Sequence, residues 1–235
     1  MNILEARNIT KKYGQIVALE EFSLEIPRNT ILGLIGPNGS GKTTFVNLIT
    51  GFSKTNEGDI FINGERINGC HPHEISRLGV ARTFQETRTF RNMTVIENLL
   101  VASRDSRHTD SLDRAHHLLT LVGLLDQAHE YCGTLSYGQQ KLVELVRALM
   151  SDPSLILLDE PAAGINPVLI EDLLKSFRIL RDQGKTIIIV EHNMDVVRAV
   201  CESVVVMHHG RKIAEGTPAE VYENAMVRDA YFGRD

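Results

Sequence analysis

The residues best suited to chemistry lie in one short segment, Gly36-Pro37-Asn38-Gly39-Ser40-Gly41-Lys42-Thr43-Thr44. It has the spacing G-x-x-x-x-G-K-[ST], after an apolar run and before a helical pattern. Glycines at these places let the main chain curl until successive N–H groups face one anion. The positive end of the following helix strengthens that field. Lys42 adds a mobile cation for β- and γ-phosphates, and the Thr43 hydroxyl is placed to hold Mg²⁺. The implied chemistry is the binding of a nucleoside triphosphate by Gly36, Asn38, Gly39, Ser40, Gly41, Lys42, Thr43 and Thr44.

A second constellation is Leu155-Ile156-Leu157-Leu158-Asp159-Glu160, an apolar strand ending in two acids. Ligands of parallel sheets gather at the carboxyl ends of strands, which brings these acids beside the phosphate loop. Neighbouring side chains of a strand point to opposite sides, so the two are expected to have different tasks. Asp159 would hold the metal or its water, and Glu160 would orient and deprotonate an attacking water. An Asp-Glu pair ending a strand means little alone; its force comes from the loop.

The elements that must position these groups alternate in type. Runs rich in Ile, Leu and Val at 30–35, 155–158, 186–190 and 204–207 read as buried strands separated by helical periodicity, a largely parallel sheet covered by helices. Phe22, Leu24 and Ile26 alternate with polar residues, and Asn63-Gly64 inside 58–66 marks a hairpin. The early part is therefore an antiparallel layer beside the parallel core. Thr94 with Glu97, Ser136 with Gln139, and Thr217 with Glu220 fit capping boxes. Asn166-Pro167 starts a helix and Gly184 stops it. From 86 to 152 the helical pattern dominates, with Leu112, Ala115, Leu118, Leu119 and Val122 on one face and Leu142, Leu145, Val146 and Leu149 on another. The expected organisation is one α/β domain over 1–235, with its core at 1–85 and 153–235 and a helical subdomain inserted at 86–152.

Composition agrees with a globular α/β unit: 235 residues, 43% hydrophobic and 23% charged. The net charge of −5 gives no electrostatic reason for a nucleic-acid partner. Cys70, Cys132 and Cys201 form no paired ligand spacing, which points to a reducing, cytoplasmic setting. Residues 1–10 show no charged-then-apolar signal segment. The longest apolar runs are about four residues, against the roughly twenty of a membrane span. The histidine pairs at 71/73, 116/117 and 208/209 lack convincing ligand spacing. Arg82, Arg88 and Arg91 read as a solvated positive face, with contact to a partner loop as the alternative, and Glu20, Glu21 and Glu25 as ordinary surface charge.

Further motifs, in order, carry a resemblance to the ATP-binding cassette family along essentially the whole chain. Leu135-Ser136-Tyr137-Gly138-Gln139-Gln140 resembles that family's signature motif, with Ser136, Gly138 and Gln139 as its nucleotide-contacting positions. Gln85, in Arg82-Thr83-Phe84-Gln85, resembles the glutamine linking the metal site to the helical subdomain. His192 resembles the switch histidine that contacts the γ-phosphate, and Tyr13 the aromatic that stacks on adenine. The resemblance implies a P-loop ATPase with catalytic Glu160, His192 and Gln85, and with Mg²⁺ at Thr43, Gln85 and Asp159. It also implies two domains, identical or related, that sandwich two ATP molecules head to tail. Ser136 caps a helix start, and such a start suits a γ-phosphate, here the partner's.

Finer text is similar to the LivG-type branch of branched-chain amino-acid importers. It comprises 79–85, 90–100, Glu160-Pro161-Ala162-Ala163-Gly164-Ile165-Asn166-Pro167 and Ala230-Tyr231-Phe232-Gly233. Tyr137 and Asn166, where most of the family has Gly and Asp, are usual in that branch. The stretch 102–110 is shorter than usual there. The resemblance implies a peripheral subunit on the inner face of the membrane, driving permease subunits that import branched-chain or other hydrophobic amino acids fed by a substrate-binding protein. An ATPase for lipopolysaccharide export or urea import, or a soluble non-transport ATPase of the same family, are the competing readings.

Overall fold

The computed structural model describes residues 1–83, 88–103 and 108–232. The chain opens with two long strands, β1 (Asn2–Tyr13) and β2 (Ile16–Pro27), then a wholly buried strand, β3 (Ile31–Ile35), that feeds helix α1 (Lys42–Ile49). Strands β4 (Glu57–Ile62) and β5 (Glu65–Arg66) form the expected hairpin, turned at Asn63 and Gly64 with φ of 53° and 82°. Helix α2 (Pro72–Arg77) and strand β6 (Val80–Arg82) precede three helices, α3 (Val95–Leu100), α4 (His108–Leu121) and α5 (Tyr137–Leu149). Strand β7 (Leu155–Asp159), helix α6 (Pro167–Asp182), strand β8 (Thr186–Val190) and helix α7 (Met194–Val200) then alternate. The described chain closes with β9 (Ser203–His208), β10 (Arg211–Gly216), α8 (Pro218–Glu223) and α9 (Ala225–Phe232).

The described strands form two sheets. One is antiparallel, in the order β2-β1-β4-β5; the other runs β10-β9-β3-β8-β7-β6 and is parallel except for β10. The parallel strands read as unbroken apolar runs because both their faces are buried. Ile31, Ile35, Ile156, Leu158, Ile187 and Ile189 share a core with the helices, including Leu142 and Val146 of α5. Leu32, Leu34, Leu155, Leu157, Ile188 and Val190 face the other way, onto Phe45 and Val46 of α1 and the antiparallel layer. Phe45 and Phe22 meet across that layer with ring centroids 4.9 Å apart. Helices α3 to α5 enter the chain between β6 and β7, which are neighbours in the sheet.

Local signals worked at most boundaries. Thr94, Ser136 and Thr217 each accept from the N–H three residues on, while Glu97, Gln139 and Glu220 return the bond. Asn166 Oδ1 accepts from Leu169 N at 3.0 Å. Two places differ from expectation. Helix α5 buries Gln140, Lys141, Val143 and Glu144 besides the expected apolar face, because it is packed against α3, α4, β6 and the sheet. The histidine pair at 208/209 belongs to a hairpin joining β9 to β10, with His209 at φ 47° and Gly210 at φ 76°. A Cβ on Gly210 would lie 2.7 Å from the Ala18 carbonyl. That close approach lets Gly210 donate to Ser40 O (2.9 Å) and accept from Glu20 N (3.0 Å), tying the phosphate loop to the antiparallel layer.

Candidate active site

The loop between β3 and α1 curls as its glycines require. Gly36 sits at φ 149°, where a Cβ would lie 2.1 Å from the Met207 carbonyl oxygen. Helix α1 is capped at Gly41 with no side-chain hydrogen bond, so no capping side chain takes up its first N–H groups. Ser40 Oγ is buried and has no hydrogen-bond partner among the described residues. Lys42 is buried, and its ammonium donates to Gly36 O at 2.7 Å and Pro37 O at 3.0 Å. Burial pushes its pKa down, while Glu160 and then Asp159 oppose the shift. Two of the three donors of the ammonium are thus engaged on the loop, and its charge faces a cleft that the two acids also line.

Residues 38–44 line a cleft of about 360 Å³ together with Ile16, Val17, Ala18, Asp159, Glu160, Val190 and His192. Strands β3, β7 and β8 are parallel neighbours, so their carboxyl ends bring these groups to one edge of the sheet. The two acids were expected on opposite sides of a strand; both line this cleft. The strand ends at Asp159, and Glu160 turns left-handed at φ 48° with its N–H on Val190 O at 2.8 Å. The Glu160 carboxylate then lies 3.4 Å from His192 Nε2.

Asp159 accepts from Arg82 Nη2 at 3.3 Å, and Arg82 Nη1 donates to Asn47 Oδ1 at 2.7 Å. Arg82 is therefore not part of a solvated face, unlike Arg88 and Arg91, which are exposed as expected. Burial lowers its pKa, opposed by Asp159. Glu191, which sequence reasoning passed over, is buried and accepts from Ala162 N (3.1 Å), His192 N (3.0 Å) and Asn193 N (3.1 Å). It clamps the turn that carries His192 to the loop after Glu160. An acid directly following the apolar run Ile187-Ile188-Ile189-Val190 was the available signal. The exposed hydroxyl of Thr43 and the carboxylate of Asp159 give the cleft a set of oxygen donors of the kind Mg²⁺ takes.

Other expected site residues lie elsewhere. Tyr13 ends β1 outside the cleft lining, with Lys11 Nζ 4.7 Å from its ring centroid and its hydroxyl 3.3 Å from Ser53 Oγ. The exposed apolar groups on the cleft rim are Ile16 and Val17. Gln85 falls outside the described residues. Ser136, Gly138 and Gln139 lie at the start of α5, apart from the cleft lining. Gly138 packs there against Ile165 and Leu169, and Tyr137 lies exposed beside Gly164.

Residues 19–163 match the family model described as ABC transporter, and residues 211–235 match one described as branched-chain amino acid ATP-binding cassette transporter. The chain is 37% identical to the high-affinity branched-chain amino acid transport ATP-binding protein BraF of Pseudomonas aeruginosa, over 98% of each. A crystal structure of the ADP conformation of an ATP-binding cassette superposes with a TM-score of 0.91, 34% identity and full coverage of both chains. A dimeric cassette in a post-hydrolysis state, bound to ADP and Pi, gives 0.81 at 28% identity, over 92% of this chain and 98% of that one. The chain belongs to the ABC transporter family, as one of its ATP-binding cassettes.

Proposed function

We propose that this chain is the ATP-hydrolysing subunit of a membrane importer of branched-chain amino acids. The observation that carries the reading is a single cleft lined by a phosphate loop with its lysine, two carboxylates and a histidine. The names of the relatives and the match over 211–235 support the cargo. Gly36 shapes the loop, and the N–H groups of 38–44 with Lys42 hold the phosphates. Thr43, Asp159 and Gln85 hold Mg²⁺, which when bound offsets phosphate charge. Glu160 orients the attacking water and takes its proton, and His192 contacts the γ-phosphate. Tyr13 stacks on the adenine, beside the apolar rim of Ile16 and Val17.

The signature residues Ser136, Gly138 and Gln139 serve the nucleotide of a second cassette. Their absence from the lining of this chain's own cleft supports that, as does the dimeric relative. The partner is a copy of this chain or a related subunit. The chain acts on the inner face of the membrane against permease subunits, supplied by a substrate-binding protein and without nucleic acid. Among the described residues no helix is long and apolar enough to cross a membrane, so the transport path falls to other chains. Residues 86–152 form the permease-facing helical subdomain. A groove of about 350 Å³ between Phe52 and Ile75 on one side and Glu144 and Arg147 on the other is its contact surface.

The test is to purify the tagged chain from mildly solubilised native membranes and identify what accompanies it. Two multi-span permeases and a second cassette are the expected companions. Soluble or nucleic-acid-bound partners alone would contradict the transport role while leaving the ATPase chemistry standing.

A further inference from the structure

One buried cation beside the cleft has no phosphate to hold. Lys141 lies in the second turn of α5, 8% exposed, and its ammonium donates to the main-chain carbonyl of Glu160 at 2.8 Å. The same carbonyl accepts from Ala163 N at 3.2 Å, and Glu160 N donates to Val190 O at 2.8 Å. Glu160 is a side-chain-bearing residue held at φ 48°, a region that costs about 1 kcal/mol or more and persists only where the surroundings fix it. Two of these bonds come from elements that flank it in the chain or the sheet. The third comes from α5. That helix is pressed onto the segment following Glu160: a Cβ on Gly138 would lie 3.2 Å from Leu169 Cδ1. One turn further along, the lysine stem reaches Glu160. Burial pushes the Lys141 pKa down, while Glu191, Glu160, Glu144 and Asp159 oppose it.

We propose that Lys141 is a positioning residue for Glu160: from α5 it holds the left-handed turn that aims the carboxylate at water, and so joins the signature helix to the acid of the same chain. This rests on the proposed role of Glu160 as the base. A displacement of about 1 Å at a reacting group costs about a hundredfold in rate, so a loosened turn is felt in turnover. A lysine that only neutralised surrounding acids would instead affect stability and nucleotide affinity, with or without a functional Glu160.

The test is a cycle of wild type, Lys141→Met, Glu160→Gln and the double variant. Turnover is followed with radiolabelled ATP over hours, nucleotide affinity with a fluorescent non-hydrolysable analogue, and folding by thermal melting. Lys141→Met is expected to lower kcat about ten- to a hundredfold, with nucleotide affinity within about twofold, and to add nothing in the Glu160→Gln background. Where the methionine variant does not fold, Lys141→Gln enters the same cycle with the same expected pattern. Wild-type kcat in the lysine variant, or an equal further loss in the Glu160→Gln background, would overturn the proposal alone. An inert wild type would overturn the ATPase reading and this proposal with it, and the control separates the two cases.

Discussion

Lys42 is the residue on which phosphate binding turns. Its ammonium is already desolvated and engaged with two loop carbonyls, so removing it strips the loop of both its charge and an internal brace. A charged hydrogen bond is worth about 1.5–3 kcal/mol, so Lys42→Ala is expected to weaken binding of a fluorescent ATP analogue about ten- to a hundredfold. Unchanged affinity would place the phosphates elsewhere. The cysteines give a second residue-scale prediction. Burial pushes the Cys201 thiol up to about 12, and Cys132 is also raised, whereas Cys70 is partly exposed. Maleimide at pH 8 is therefore expected to label Cys70 and spare the other two in the folded chain, read by mass spectrometry. A raised thiol pKa favours the protonated form in the fold. Its contribution is full below the ordinary value of 9.0 and is lost as pH rises toward 12. Cys201→Ala should accordingly narrow the loss of melting temperature between pH 8 and pH 10.

The helices and strands are held to one another by a few charged links that no local pattern announces. Asp152 Oδ1 accepts from Arg114 on α4 (2.9 Å) and from Lys185 before β8 (2.7 Å), and Arg114 also donates to Leu149 O at the end of α5. The Lys185 bond, with Arg114 assisting and burial opposing, holds the Asp152 carboxyl below its ordinary 3.8. That stabilisation is present above 3.8 and fades as pH falls through the lowered value. Asp152→Asn, which tolerates the left-handed backbone at φ 51°, is expected to cost about 1 kcal/mol by urea denaturation at pH 7. The gap should close below 3.8; a gap constant with pH would mean the charge is not the cause. Elements with a chemical signal of their own were legible in the sequence: the Asn63-Gly64 hairpin, the three capping boxes, the doubly buried strands. The β9–β10 hairpin was not, because His209-Gly210 lacks the usual turn pair. The turn at Glu160 was also hidden, since besides the local bond from Ala163 its left-handed backbone is held by Val190 and Lys141 from outside the local sequence.

At the scale of the molecule, the parallel sheet gathers the loop after β3, the acids after β7 and the histidine after β8 at one edge, while the start of α5 remains outside that cleft. The motif residues announced the first arrangement, because their types have few other uses in that order. Tyr13 ends β1 just outside the cleft lining, and the run of β1 into β2 adds Ile16 and Val17, which its aromatic character did not announce, to the rim. Arg82 shows the limit, because only tertiary packing places it on Asp159. Tyr137 and Val168, near the starts of α5 and α6, are exposed, and the proposed pairing with a second cassette would cover them. On the proposed function, two cassettes close on ATP and Glu160 then directs its hydrolysis. Light scattering of Glu160→Gln with Mg²⁺ and ATP tests it most directly. The expected result is a stable particle of twice 26.2 kDa, while wild type returns to monomer as its ATP is consumed. A Glu160→Gln chain that stays monomeric with ATP bound, or hydrolyses ATP at the wild-type rate, would contradict it.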